Sequence, residues 1–141
     1  MAITSEATTL WAGTLFEGSG TVSLDSSTSG RFPVTWAGRS EGVAGQTNPE
    51  ELLGAAHSAC YAMAFSNALS KVGLPPDSLQ VTAAVTFQPG TGITGIHLLV
   101  TAHIPGIDVA EFERLAEDAK ANCPISQALA GVPITLEATL G

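Results

Sequence analysis

The chain has 141 residues, enough for one domain with a real core, and 45% of them are hydrophobic, which excludes a disordered or fibrous protein. Five basic residues against 13 acidic ones give a net charge of -8; such a surface repels phosphate backbones and anionic lipid, so neither nucleic acid nor a membrane is an expected partner. The opening MAITSEATTL lacks a basic segment followed by an apolar one, so no secretory signal is read and the expected compartment is the cytoplasm, where a structural disulfide is not the default.

Residues 8–37 read as β. TLWAGTLF (9–16) and GTVSL (20–24) alternate across the turn-like Gly18-Ser19-Gly20, and RFPVTWAG (31–38) is a third short strand with Pro33 near its start. SEGVAGQT (40–47) is a glycine-containing loop. A long helix follows. Asn48 is a good N-cap, Pro49 suits the first helical position, and Glu51 sits three after the cap, as in a capping box. Gly73 ends the helix and Pro75-Pro76 prevent its continuation. A helix of roughly 24 residues spans about 36 Å at ~1.5 Å per residue. From Leu52 to Ser70 it carries no Asp, Glu, Lys or Arg, so it is apolar on nearly every face and must be buried. The window approaches membrane-spanning length, but it is built from Ala, Gly, Ser, Asn67 and His57 rather than Leu, Ile and Val.

LQVTAAVTF (79–87) and ITGIHLLVTAHI (93–104) form a hairpin around PGTG. Asp108 caps a helix over 108–122 with the stripe Val109, Phe112, Leu115, Ala116 and Ala119; its polar face is an ordinary solvated one. CPISQALAG (123–131) is a short extra helix with Pro124 first, and VPITLEATL (132–140) a final strand. The order β-β-β-α-β-β-α-β gives an α+β fold in one domain, 1–141: one mixed, mostly antiparallel sheet wrapped around the long helix. A single sheet hides one side of a helix, and a second copy of the chain is the simplest cover for the other.

Two cysteines in a cytoplasmic chain are commonly small buried hydrophobes. If Pro124 opens a helix, Cys123 is its cap, where unpaired N–H groups lower a thiol pKa. Cys60, in an apolar helix middle, has a raised pKa unless one of Arg31, Arg39, Lys71, Arg114 or Lys120 reaches it. Cys123 is then the more acidic thiol. Arg39 stands out among the cations because GRSEG puts it at the end of a strand just before the long helix, although a solvated surface charge is its plain reading. His57 lies three before Cys60 on one helix face. A metal pair lacks further ligands at a suitable spacing, and a Cys–His hydrolase lacks an orienting partner, so a packed or half-exposed histidine is the simpler account. His97 and His103, six apart on one strand, read as strand surface or core. Glu51 is accounted for by capping; Glu50 has no such duty beyond complementing the helix dipole.

TNPEELLGAAHSACYAMAF (47–65) together with KANCPISQAL (120–129) resembles the OsmC/Ohr family of thiol-dependent hydroperoxide reductases, and the similarity spans nearly the whole chain, including PGID (105–108) before its second half. The resemblance implies an intertwined homodimer. It assigns Cys60 in SAC to the peroxidatic cysteine, Cys123 in NCP to the resolving cysteine, Glu50 to the active-site glutamate and Arg39 to the arginine of the OsmC branch. The Ohr branch carries its arginine much earlier, and this chain has none before Arg31. One departure is Ser40, where the family carries a bulkier, often aromatic residue; it bears on the shape of the substrate pocket rather than on the reaction.

The activity so implied is reduction of organic hydroperoxides, and more weakly of hydrogen peroxide, to alcohols through a Cys60 sulfenic acid and a Cys60–Cys123 disulfide, in oxidative or osmotic stress defence. It uses no metal or other cofactor; an external dithiol, lipoyl-type in the family, reduces the disulfide. A non-catalytic redox-sensing or ligand-binding dimer of the same fold is the alternative, and a plain structural domain a third. Helix geometry adds one expectation. Glu50 and Cys60 are ten residues apart, about 15 Å along a helix axis, so they cannot meet within one straight helix; they meet if two copies of the helix pack antiparallel around Gly54, Ala55, Ala56 and Ala59. A loop or kink returning Glu50 within its own chain is the competing arrangement.

Overall fold

In the computed structural model, which describes residues 1–141, the chain is α+β, with elements β1 (Ala7–Ala12), β2 (Ser19–Leu24), β3 (Arg31–Val34), α1 (Trp36–Ser40), α2 (Pro49–Lys71), β4 (Ser78–Gln88), β5 (Gly92–His103), α3 (Val109–Asn122), α4 (Pro124–Ala128) and β6 (Ile134–Leu140). The backbone gathers into two compact units, Met1–Leu52 and Leu53–Gly141. The strands form two sheets of three, one in each unit, where the sequence predicts one mixed sheet. Short connections join the first three strands, so they pair with one another first.

In the first unit β1, β2 and β3 make an antiparallel meander in which Val22 faces Phe32 and is buried. The third strand is shorter than expected. Thr35 is extended and its hydroxyl oxygen accepts the Gly38 N–H at 3.0 Å, so it caps α1 and the chain turns helical at Trp36. Arg39 therefore sits in the last turn of a short helix, not at the end of a strand. The start of α2 follows the capping expectation: Asn48 Oδ1 accepts the Glu51 N–H at 2.8 Å. The Glu51 carboxylate accepts the Thr47 hydroxyl at 2.6 Å.

In the second unit β4 and β5 are antiparallel, and β6 returns parallel to β5, Ile96 opposite Ile134, after the crossover through α3 and α4. The remainder of α2 lies over this sheet. Gly54 lets it approach closely: a Cβ there would stand 2.9 Å from the Ala83 carbonyl oxygen of β4. His57, Tyr61, Phe65 and Leu69, spaced by four, form its buried face. Tyr61, Phe65 and Leu69 pack with Leu98 and Val100 of β5 and with Phe112 and Leu115 of α3. The Phe65 ring lies 5.7 Å from Tyr61 and 5.9 Å from Phe112, and burying each such side chain contributes ~2–3 kcal/mol. Asp108 caps α3 through the Ala110 N–H at 3.0 Å. As expected for a helix covered by one sheet only, Ala55, Ala56, Ala59 and Met63 lie exposed along the opposite face of α2. No helix of the chain is long and apolar enough to cross a membrane.

Candidate active site

The second unit brings the two cysteines together. Cys60 lies midway along α2 and is half-buried; Cys123, fully buried, is the corner residue between α3 and α4. Pro124 disfavours helical geometry at the residue before it, and Cys123 accordingly has φ −58° and ψ 124°. Its own N–H still closes α3 on the Ala119 carbonyl at 2.9 Å. Both thiols are free, and each acts on the ionisation of the other.

Their acidities diverge in the order expected from the sequence. Burial pushes the Cys60 thiol up, and its bond to Cys123 pushes the same way, against one backbone N–H from Ile125. Burial also opposes ionisation of Cys123, but the Cys60 thiol, the Ser126 backbone and hydroxyl, and the Ile125 N–H outweigh it and bring Cys123 down. With α4 only five residues long, these named donors, rather than an extended helix dipole, make the difference.

His57 is packed, not half-exposed. Its Nε2 lies 2.7 Å from Ser126 Oγ, both residues are buried, and burial lowers the histidine pKa. Its Nδ1 is buried without a partner. Sequence reading missed Ser126. The available signal was its place three residues after the helix-capping Cys123, the spacing at which a side chain turns back on the cap. Cys60 lines a groove of about 640 Å³ with Met63, Ala64, Leu115, Ala119 and Pro124, and Lys71 and Asp118 also belong to its lining.

The other two predicted residues pair in the first unit. Arg39 Nη2 donates to Glu50 Oε1 at 2.7 Å, and Arg39 Nε lies 3.1 and 3.2 Å from the two carboxylate oxygens, a fork-on-carboxylate contact. Glu50 is buried and the Arg39 side chain only 31% exposed, so the guanidinium is not a freely solvated surface charge. Arg39 also borders an apolar pocket of about 310 Å³ with Trp11, Leu15, Val22, Val34 and Trp36. Ser40 is exposed, its hydroxyl bonded to the Trp36 carbonyl at 2.9 Å. His97 lies on the sheet surface, with Nδ1 2.7 Å from Thr135 Oγ1, and His103 is exposed. No three His, Cys, Asp or Glu side chains gather into a possible metal site.

Residues 42–137 match the family model described as OsmC-like protein. The chain belongs to the OsmC-like family. Over 132 residues this OsmC-like chain is 42% identical to the peroxiredoxin OsmC of Escherichia coli (strain K12), covering 92% of each. It is 34% identical over 93 residues to the organic hydroperoxide resistance protein of Xanthomonas axonopodis pv. citri (strain 306), covering 64% of this chain and 65% of that relative. The crystal structure of an organic hydroperoxide resistance protein from Elizabethkingia anophelis superposes with a TM-score of 0.71 at 27% identity, covering 100% of this chain and 97% of that one. The higher identity and wider coverage against the E. coli relative agree with the OsmC side of the resemblance.

Proposed function

We propose that this OsmC-like chain is a thiol-dependent peroxidase that reduces organic hydroperoxides, and more weakly hydrogen peroxide, with residues 1–141 as one functional domain. The observation that carries this reading is the pair of free thiols that act on each other, Cys60 on the wall of a largely apolar groove and Cys123 buried, in a chain akin to a peroxiredoxin over nearly its full length. An apolar wall suits the alkyl part of the substrate. The Cys60 thiolate attacks the outer peroxide oxygen, the O–O bond breaks, and the alkoxide takes a proton and leaves as alcohol. Cys60 is left as a sulfenic acid, on which Cys123 closes to a disulfide with loss of water. An external dithiol of lipoyl type then reduces the disulfide by thiol exchange.

A half-buried Cys60 thiol with a raised pKa needs a cation to become the attacking thiolate. In this reading Arg39, held by Glu50, supplies it, with Cys60, Cys123, Arg39 and Glu50 as the working set. Glu50 and Cys60 stand about 15 Å apart along α2, which favours delivery by a second copy of the chain. The exposed Ala55, Ala56, Ala59 and Met63 offer small side chains for antiparallel helix packing, and the functional form is a cytoplasmic homodimer. Turnover of cumene hydroperoxide with dihydrolipoamide tests the activity. Steady turnover that Cys60→Ser abolishes is the expected result. Stoichiometric oxidation without turnover would identify a redox sensor instead.

A further inference from the structure

Two buried polar side chains of the second unit have no part in the reaction as described. His57, on α2, and Ser126, on α4, are 69 residues apart in sequence, yet their polar atoms meet at 2.7 Å in the core. A polar group is placed in an apolar core at a cost unless its bonds are made, and this pair makes one bond while leaving His57 Nδ1 with none. Ser126 also stands three residues after Cys123, in the first turn of α4, and its hydroxyl and the Cys60 thiol are both among the groups that hold the Cys123 thiol down. The four side chains form one buried line, imidazole to hydroxyl to thiol to thiol, ending at the groove.

The direction of the line follows from donor counting. A serine hydroxyl has one hydrogen. If that hydrogen points at the Cys123 sulfur, the oxygen must accept from His57, so Nε2 carries the imidazole proton and Nδ1 holds a lone pair. The opposite tautomer would bury an unpaired N–H and turn the hydroxyl away from sulfur. A bare acceptor is the less costly orphan of the two.

We propose that His57 and Ser126 are positioning residues for the resolving cysteine: the His57 Nε2–H fixes the Ser126 oxygen, and the Ser126 O–H is thereby aimed at Cys123, holding its sulfur toward Cys60 and stabilising it as thiolate. The inference rests on the peroxidase reading for the origin of the Cys60 sulfenic acid. In the step it serves, the Cys123 sulfur forms the S–S bond with Cys60 as the S–O bond breaks. The Cys60 sulfur is reduced, the Cys123 sulfur oxidised, and the departing hydroxide combines with the proton that Cys123 gave up to form water. Neither His57 nor Ser126 touches the peroxide. The groups that act on the Cys123 thiol are Cys60, Ser126 and the Ile125 backbone; the buried Tyr61 phenol, pushed up by burial with Glu117 contributing, stays neutral and donates to the Ala116 carbonyl.

The test separates the two halves of the cycle. One equivalent of cumene hydroperoxide is mixed with Ser126→Ala, Ser126→Thr, His57→Phe and the unaltered dimer; Cys60 sulfenic acid is trapped with dimedone, and the disulfide is followed by mass spectrometry of non-reduced peptides. Loss of a hydrogen bond to a charged sulfur should slow disulfide closure roughly tenfold or more in Ser126→Ala. Oxidation of Cys60 should change far less, so dimedone adduct accumulates. Ser126→Thr, which keeps the hydroxyl, should restore closure, and His57→Phe should slow it. Closure in Ser126→Ala at the unaltered rate, or a Ser126→Thr variant as slow as Ser126→Ala, overturns the proposal. If peroxide leaves Cys60 of the unaltered protein unoxidised, the peroxidase reading fails instead. Diamide, which drives two thiols to a disulfide without peroxide, then decides the positioning role on the same variants: slow closure in Ser126→Ala upholds it, and an unchanged rate overturns it.

Discussion

The two units handle polarity in opposite ways. The first keeps a formal charge pair, with Glu50 buried and Arg39 gripping both carboxylate oxygens. The second gathers His57, Ser126, Cys123 and Cys60 without any formally charged partner among them, and their ionisation is governed by burial and single hydrogen bonds. A thiol in such surroundings is a weak nucleophile by itself, whereas a guanidinium fixed on a buried carboxylate has no chemistry of its own. Each region holds what the other lacks, and only α2, which supplies Glu50 to one and Cys60 to the other, belongs to both.

The most drastic way to test this complementarity is to block the proposed packing of a second copy on α2, which in that proposal brings charge to thiol. Ala55→Trp on the exposed face of α2 should abolish dimerisation and peroxidase turnover together, read by light scattering and by assay; a dimeric and active variant would rule the antiparallel packing out. Removing the charge alone is the next step down. Arg39→Ala should lower the second-order rate constant for peroxide on the order of a hundredfold, as for loss of one preorganised electrostatic contact. The fold should persist by circular dichroism, with unfolding made easier by about 2 kcal/mol because Glu50 stays buried without its partner. Unchanged kinetics would return Arg39 to the role of a surface cation.

A smaller effect sharpens the other side of the comparison. Burial holds the His57 pKa below its ordinary 6.5, so near that pH the unfolded chain binds a proton that the folded chain refuses. Stability from this group is present above 6.5 and is lost as the pH falls below it. Urea midpoints measured across this range should fall more steeply for the unaltered protein than for His57→Asn, and parallel curves would show a histidine that ionises freely in the fold. The smallest effect is the control. Arg114 pairs with Glu111 and Asp118 on the exposed face of α3, and Arg114→Ala should leave both the melting temperature and the peroxide kinetics unchanged. A clear loss there would mean that exposed ion pairs matter as much as the buried one at Glu50.

Legibility followed range. The capping chemistry of Asn48 and Asp108, the β4–β5 hairpin and the end of α2 at Gly73 are written in neighbouring residues, and all were readable. The short helix α1 was not, because RFPVTWAG carries a strand-like run up to the Thr35 cap and only one turn of helix beyond it. The division into two sheets was also hidden, since alternation tells which face of a strand is buried but not which strand lies beside it. At the site, the cysteines and the Arg39–Glu50 pair were picked out by motif, yet the contact of His57 with Ser126 spans 69 positions and no local pattern announces it. The exposed face of α2 was predictable in kind, because a helix without charges was expected to need more cover than one sheet provides.

The parallel pairing of β6 with β5 has a consequence for the order in which the molecule is made. Cys60 leaves the ribosome 63 residues ahead of Cys123. The corner that carries Cys123 lies on the crossover between β5 and β6, whose register joins residues 38 apart, such as Ile96 and Ile134. Pairings of that sequence separation close late, because the loop entropy is lost before the contacts form. The crossover that carries Cys123 is therefore expected to be fixed at both ends only when the C-terminal strand docks. A nascent chain that still lacks β6 is expected to hold Cys60 while the crossover that carries Cys123 is not yet anchored at its far end.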